Sequence, residues 1–369
     1  MKARDESRVA GRLSAPAACR LDVDIARRRL AAQHVAKPAL ATPRAVVSHL
    51  GALQAQDHAA ALWAIGLRLR KPSLAAVHRA VARGEILRTW PMRGTLHFVA
   101  AKDARALVAL LAPRALARAA GRRRELGLTD ATLRKARAVL TRALAGGAAL
   151  TRPDAYATLE RAGVRTTGQR GIHVLGHLAQ EGTLCVGPHE GKQPTFVLLD
   201  EWAPRSKELD LAALARRYAA SHGPAQAADF AWWAGVPLAQ ARAALEASGA
   251  RQGEDGWSAP RPRVASEPSP AAHLLPAFDE SAVAYKDRSA ALARVGSRAN
   301  AQIGLLSPSI LVDGQMVGTW GRKIAKERVR IALKPLVAWT RAERDAIEEA
   351  AQRYADFLGL GLDVKRARA

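Results

Sequence analysis

The chain has 369 residues, 49% of them hydrophobic and 24% charged, with 57 basic against 33 acidic groups and a net charge of +24. That length can bury a sizeable core in two to four compact units. No apolar run approaches the roughly 18 residues of a membrane span, Met1–Arg20 lack the apolar stretch of a secretory signal, and Cys19 and Cys185 are too few for a disulfide framework.

A reducing, cytoplasmic setting is therefore expected. The basic excess belongs to the body of the chain: residues 1–37 carry +5 and residues 361–369 carry +2, leaving about +17 between them. Such a balance points to a polyanionic partner. Aromatic residues make up only 5%, which argues against a single-strand reader built on stacked bases.

In chain order, residues 1–20 read as a disordered basic N-terminus and Val23 to Ala36 as a basic helix. Pro43 to Leu53, Ala59 to Leu69 and Ser73 to Ala82 follow as helices, punctuated by Pro38, Pro43, Pro72 and Gly84. The period then changes. Ile86 to Trp90 and Thr95 to Val99 read as strands of a hairpin around Pro91-Met92-Arg93-Gly94, the order of a winged helix-turn-helix. It recurs with helices at Thr129 to Ala145, Arg152 to Ala162 and Gly168 to Gln180, and strands at Thr183 to Val186 and Thr195 to Leu199. A third round has helices at Leu211 to Ser221, Pro224 to Gly235 and Pro237 to Ala247, with a hairpin through Gly253 to Trp257. Past a proline-rich linker at 259–270, strands are expected at Ala272 to Phe278, Gln302 to Leu306, Ile310 to Val312, Gln315 to Trp320 and Val329 to Leu333. Asp313-Gly314 suits a tight turn, and Thr340 with Glu343 forms a capping box for a closing helix to Leu358.

The expected fold is thus α+β: three tandem winged helix-turn-helix domains (21–125, 126–205 and 206–264), a small β domain (265–335), and a C-terminal helix and tail (336–369).

The most informative short stretch is Gln54-Ala55-Gln56, set between two apolar helical runs. In extended backbone, side chains two positions apart share a side, so both amides could meet one ligand atom or water. On a regular helix they would lie about 200° apart. A shared role therefore requires Gln54 and Gln56 off the helix axis.

Several segments occur in an order that resembles a known family. These are Gln54-Ala55-Gln56, Thr89-Trp90-Pro91-Met92-Arg93-Gly94-Thr95-Leu96-His97, Gly223-Pro224 with Asp229 to Gly235, Leu275 to Glu280 with Tyr285 to Arg288, and Val312 to Gly314 with Val317 to Trp320. Together, over roughly residues 22 to 358, they resemble the bacterial winged-helix DNA glycosylases of the AlkZ/YcaQ type. The resemblance implies a basic groove over duplex DNA and excision of N-alkylated purines, in some members from bulky adducts or interstrand crosslinks. It assigns the chain to the branch with a Gln-apolar-Gln step and the catalytic role to Gln54 and Gln56; Asp57 falls one position late for the other branch. The partner implied is double-stranded DNA containing alkylated purines, met by a monomer without a cofactor. Arg93, His97, Arg122, Arg123 and Arg124, with Lys192 in the second wing, are the candidate DNA contacts. A non-catalytic winged-helix regulator is the competing function.

Other patterns carry less. His173 and His177 share a helical face near Cys185 and His189, but no glutamate flanks the first histidine as in a hydrolytic zinc motif. No metal site is expected. Gly187 to Lys192 is one residue short of a phosphate loop, and Gln193 stands where Ser or Thr is needed. Asp279-Glu280 with Asp287 reads as a packing feature, and no Gly-x-Ser-x-Gly elbow is present.

Overall fold

Prolines and side-chain caps set where most helices begin. The computed structural model describes residues 17–204, 208–260, 268–296 and 307–366. Helix α1 (Ala17–Ala32) starts inside the stretch expected to be disordered and stops before Ala36. Pro43 opens α2 (Pro43–Leu50), capped by the Thr42 side chain, and Gly51 at φ +81° ends it short of the expected Leu53. Strand β1 (Leu53–Gln54) precedes α3 (His58–Gly66, capped by Asp57) and α4 (Leu74–Ala82, capped by Ser73). The first hairpin is β2 (Ile86–Met92) and β3 (Thr95–Ala100).

Two helices follow where the sequence suggested none, α5 (Ala101–Arg118) and α6 (Ala120–Glu125). Neither has a side-chain cap, and α5 carries Pro113 in its interior, so the usual start and interior signals are missing. Burial of Ala104, Leu107 and Leu111 holds α5 instead.

The order then repeats. The second round comprises α7 (Asp130–Leu144), β4 (Leu150–Thr151), α8 (Arg152–Arg161), α9 (Arg170–Gln180), β5 (Leu184–Glu190) and β6 (Gln193–Leu198), followed by α10 (Leu199–Trp202). The third comprises α11 (Leu211–His222), α12 (Ala227–Ala234), α13 (Leu238–Ala247), β7 (Arg251–Gly253) and β8 (Gly256–Ser258). Beyond these lie β9 (Ala272–Leu275), α14 (Glu280–Val283), α15 (Ser289–Leu292), β10 (Ser309–Val312), β11 (Gln315–Ile324), β12 (Arg328–Pro335), α16 (Arg341–Leu358) and β13 (Gly361–Arg366). The expected strand at 302–306 lies outside the described residues. Asp313-Gly314 turns between β10 and β11, and Thr340 and Glu343 form the reciprocal capping box. The segment after α16, expected as a tail, is a strand: β13 pairs parallel with β12, from Arg328↔Gly361 to Leu333↔Arg366.

The first two hairpins join edge to edge through Arg88↔Val186 in a six-stranded sheet ordered β1-β3-β2-β5-β6-β4. A second sheet has the order β13-β12-β11-β10-β9, and β7-β8 stands alone. Both faces of the first hairpin are covered. Ile86 and Phe98 enter a core shared by α2, α3, the five-stranded sheet and α16, while Leu87 and Val99 enter one shared with α5, α11 and α12. Trp90 and Phe196 belong to a third, beneath α7 to α9. In the first core Trp63, Trp320, Tyr354 and Phe357 pack with neighbouring ring centroids 5.0–5.1 Å apart. A Cβ on Gly66 would sit 2.4 Å from the Phe357 ring, so glycine permits α3 to meet α16.

Candidate active site

The site is a short break between two helices. Gly51 ends α2, and Asp57 accepts the Ala60 N–H at 3.0 Å to begin α3. The residues between lie along β3, with Leu53 opposite Phe98, Gln54 opposite His97, and the Ala55 N–H donating to the Leu96 carbonyl at 2.8 Å. Both glutamines are therefore off the helix axis, as a shared role demands.

Gln54 is 9% exposed, and its Oε1 accepts from Arg93 Nη2 at 3.0 Å. Gln56 is exposed, and its Oε1 accepts the Leu96 N–H at 3.3 Å. Because both partners only donate, the atoms facing them are carbonyl oxygens. Each oxygen retains one acceptor lone pair, with its amide orientation fixed.

Arg93 occupies the two-residue turn between β2 and β3, closed by Met92 opposite Thr95. Arg93 and Gly94 have φ of +56° and +74°, the left-handed pair that a tight hairpin favours. For arginine this conformation costs on the order of 1 kcal/mol. It turns the side chain back onto the sheet, where Nη2 also lies 3.2 Å from His97 Nε2. His97 Nδ1 is 2.9 Å from the Thr95 carbonyl, so Nδ1 donates there and Nε2 is left as the acceptor for Arg93. Burial, and then the adjacent Arg93, lower the His97 pKa to about 3. The ring is neutral at physiological pH.

His97 is fully buried, while the partly exposed Arg93 reaches Gln54 from the edge of the cleft it helps to line. Gly235 explains part of this: at φ +70° it ends α12, and a Cβ there would lie 3.3 Å from Arg93 Cγ.

Three buried groups stand behind the glutamines; Arg88 and His222 are not singled out by sequence, and Glu280 reads there only as a packing residue. Arg88 Nε donates to the Ala55 carbonyl, between the two glutamines, at 3.0 Å. Burial lowers its guanidinium to about 10, so it remains charged at neutral pH. Glu280 is fully buried; its Oε1 accepts the Gln54 N–H at 2.7 Å and its Oε2 accepts Trp233 Nε1–H at 3.1 Å. His222 Nε2 stands 3.6 Å from the same Oε2. Burial pushes the Glu280 carboxyl up, but His222, and more weakly His97 and Arg93, outweigh that and hold it below its usual range. Adjacent Asp279 is a packing residue as expected, taking both terminal nitrogens of Arg68 at 2.9 Å in a buried pair. An arginine inside a strand covered on both faces was the available signal for Arg88; for Glu280 the adjacent acid pair was visible, but its contact with Gln54, 226 residues away, was not.

Two clefts lie near the glutamines, the first strongly basic and the second setting Lys192 against Asp57. One, beside Arg93, is lined by Arg118, Arg123, His173 and His177. The other, beside Asp57, is lined by His58, His78, His189 and Lys192. Arg122 of α6 is bound to Glu125 and Gln169 at 2.7 and 2.8 Å, Arg123 donates to the Leu116 carbonyl at 2.8 Å, and Arg124 is exposed. The residues that could have formed a zinc site are separated: His177 meets Glu181 at 3.2 Å, Cys185 lies in the core with Leu87 and Val99, and His189 packs on His58 with centroids 4.1 Å apart. Among the described residues no cluster of three or more His, Cys, Asp or Glu side chains is placed to hold a metal.

The family model described as DNA glycosylase AlkZ-like matches residues 47–357. An interstrand DNA cross-link repair glycosylase of Streptomyces sahachiroi is 27% identical over 304 residues, 74% of this chain and 81% of that protein. The solved structure of the Streptomyces sahachiroi DNA glycosylase AlkZ superposes with a TM-score of 0.73 at 24% identity, covering 94% of this chain and 99% of the other. With its family model matched across most of its length, the chain belongs to the AlkZ-like family of DNA glycosylases.

Proposed function

We propose that the chain hydrolyses the N-glycosidic bond of purines made cationic by alkylation at N7 or N3, in duplex DNA, with Gln54 and Gln56 as the catalytic residues. The observation that carries the reading is a pair of neutral amides whose carbonyls are already oriented, at 3.0 Å from Arg93 and 3.3 Å from the Leu96 N–H. An amide cannot remove a proton at neutral pH, so an ordinary nucleotide should not react. A cationic purine leaves as a neutral base and transfers its positive charge to the sugar. Two amide oxygens can then hold the attacking water and face the developing oxocarbenium, through placement and electrostatics alone. General-base help worth roughly 10²–10⁴-fold is dispensable for such a leaving group. The reading assigns no lysine as an imine-forming nucleophile, so base release without strand cleavage is expected.

The three helix–hairpin rounds are read as winged helices, with the boundaries given by sequence, and the two clefts as the path of the sugar-phosphate backbone past the glutamines, gripped mainly by the arginines of the first. No helix among the described residues is long and apolar enough to cross a membrane; a monomer acting in the cytoplasm at the nucleoid fits the reading. The Streptomyces relative is a cross-link repair glycosylase, which supports extending the substrate range to interstrand crosslinks, and bulky adducts are included in the reading.

The test is release of 7-methylguanine, bulky-adduct and crosslinked purines from defined duplexes, scored as alkali-labile sites. Substituting both glutamines by alanine should abolish release and leave DNA binding largely intact. A wild-type protein that binds but releases no alkylated purine would instead be a DNA-binding regulator.

A further inference from the structure

Glu280 and Asp279 are adjacent buried carboxylates with opposite electrostatic fates. Asp279 is paired with both terminal nitrogens of Arg68, so its charge is cancelled where it stands. Glu280 receives only neutral donors within hydrogen-bond distance, the Gln54 main-chain N–H and the Trp233 indole. Its nearest ionisable neighbour, His222, is 3.6 Å away and engages Ser221 Oγ through Nδ1 at 2.8 Å. No arginine or lysine forms an ion pair with Glu280 among the described residues. An ionised carboxylate with no arginine or lysine partner and His222 as its one ionisable contact therefore sits directly behind Gln54.

That position answers a difficulty in the site. Arg93 touches the Gln54 amide, and a guanidinium there opposes positive charge building on the sugar. We propose that Glu280 is a positioning residue and the fixed counter-charge of the site, holding the Gln54 main chain while offsetting the Arg93 guanidinium so that a cationic nucleoside is accepted. The inference rests on the glycosylase reading above and adds to it a residue that sets charge preference. A purely packing role for Glu280 would stabilise the strand without distinguishing charged from neutral ligands.

The experiment uses the full chain and two duplexes, one carrying a pyrrolidine abasic analogue, cationic at the position of the anomeric carbon, the other a neutral tetrahydrofuran abasic site. The wild type should bind the pyrrolidine duplex about tenfold more tightly. Glu280→Gln should abolish or reverse this preference, and adding Arg93→Gln should restore it. If Glu280→Gln does not fold, Arg93→Gln alone decides, because removing the guanidinium should widen the preference. The proposal is overturned if folded Glu280→Gln keeps the wild-type preference or weakens both duplexes equally, or if Arg93→Gln leaves the preference unchanged. Failure of the glycosylase reading is separately visible, as a wild type that releases no alkylated purine at all.

Discussion

Arg93 donates from one nitrogen to both Gln54 Oε1 and His97 Nε2, at 3.0 and 3.2 Å, from a main chain held at φ +56°. Glycine adopts that conformation without strain. Arg93→Gly should therefore leave stability within about 1 kcal/mol of wild type, the relief of strain compensating for lost contacts. Base release should fall by roughly 10–10²-fold, because the Gln54 amide loses its orientation. Urea unfolding and single-turnover release measure the two halves. A variant that stays fully active would remove Arg93 from the site.

His97 makes a different prediction, about pH. Its folded pKa of about 3 lies below the ordinary histidine value of 6.5, so between those values the unfolded chain binds the extra proton. The stability from keeping this ring neutral is fully present above 6.5 and is lost as pH falls from there toward 3. His58 and His49, lowered mainly by burial to about 3 and about 4, act in the same direction. Unfolding free energy should therefore drop as pH falls from 7 to 4. His97→Gln should make that slope shallower by up to about 1.4 kcal/mol per pH unit, read from urea midpoints across the range. An unchanged slope would mean that the ring is protonated in the folded protein.

The buried Arg68–Asp279 pair is a matter of stability rather than chemistry. Arg68 also donates to Gln33 Oε1 at 2.7 Å and to the Ala64 carbonyl at 2.8 Å, tying α1 and α3 to the loop that carries Glu280. Arg68→Met strands a buried carboxylate and should cost about 3–5 kcal/mol, whereas replacing both partners by apolar residues should recover at least half of that. Burial raises the Asp279 carboxyl but Arg68 and Ser281 bring it below its ordinary 3.8, so this stabilisation is present above that value and disappears as pH falls through the folded pKa. Denaturant titrations of the single and double variants decide it.

What sequence could show follows from range. Helices with a cap or proline at the start, such as those at Thr42-Pro43 and Thr340 with Glu343, are written in neighbouring residues. So is the requirement that Gln54 and Gln56 leave the helix, although the agent, Gly51 in a left-handed conformation, ends α2 before the expected Leu53. Helix α5 lacks a cap and contains Pro113, and β13 is a charged segment made a strand by its partner β12; tertiary burial and pairing decide both. The charge arrangement was least legible. The contact of Arg93 with Gln54 depends on a positive φ that its neighbours do not announce, and Glu280 reads as packing because Gln54 and Trp233 reach it only in the folded chain.

Lys192 and Arg122 both read as phosphate contacts, yet their surroundings predict unequal roles. Lys192 is exposed in the β5–β6 turn beside the cleft that adjoins Asp57, with no ion-pair partner among the described residues. Arg122 already engages Glu125 and Gln169, so its charge is balanced and two of its donors are occupied. Each phosphate neutralised by a free cation releases counterions worth about −0.9 in the log–log salt slope. Lys192→Ala should therefore make the slope shallower by about 1 and weaken binding to damaged and undamaged duplexes alike, as a sequence-independent contact must. Arg122→Ala should change the slope by less than about half as much, since DNA would have to displace Glu125 to use it. The measurement is duplex affinity between 50 and 200 mM salt. A larger effect from Arg122 would mean that the backbone runs over α6 and away from the second hairpin, and the groove would have to be redrawn around the cleft that holds Arg118 and Arg123.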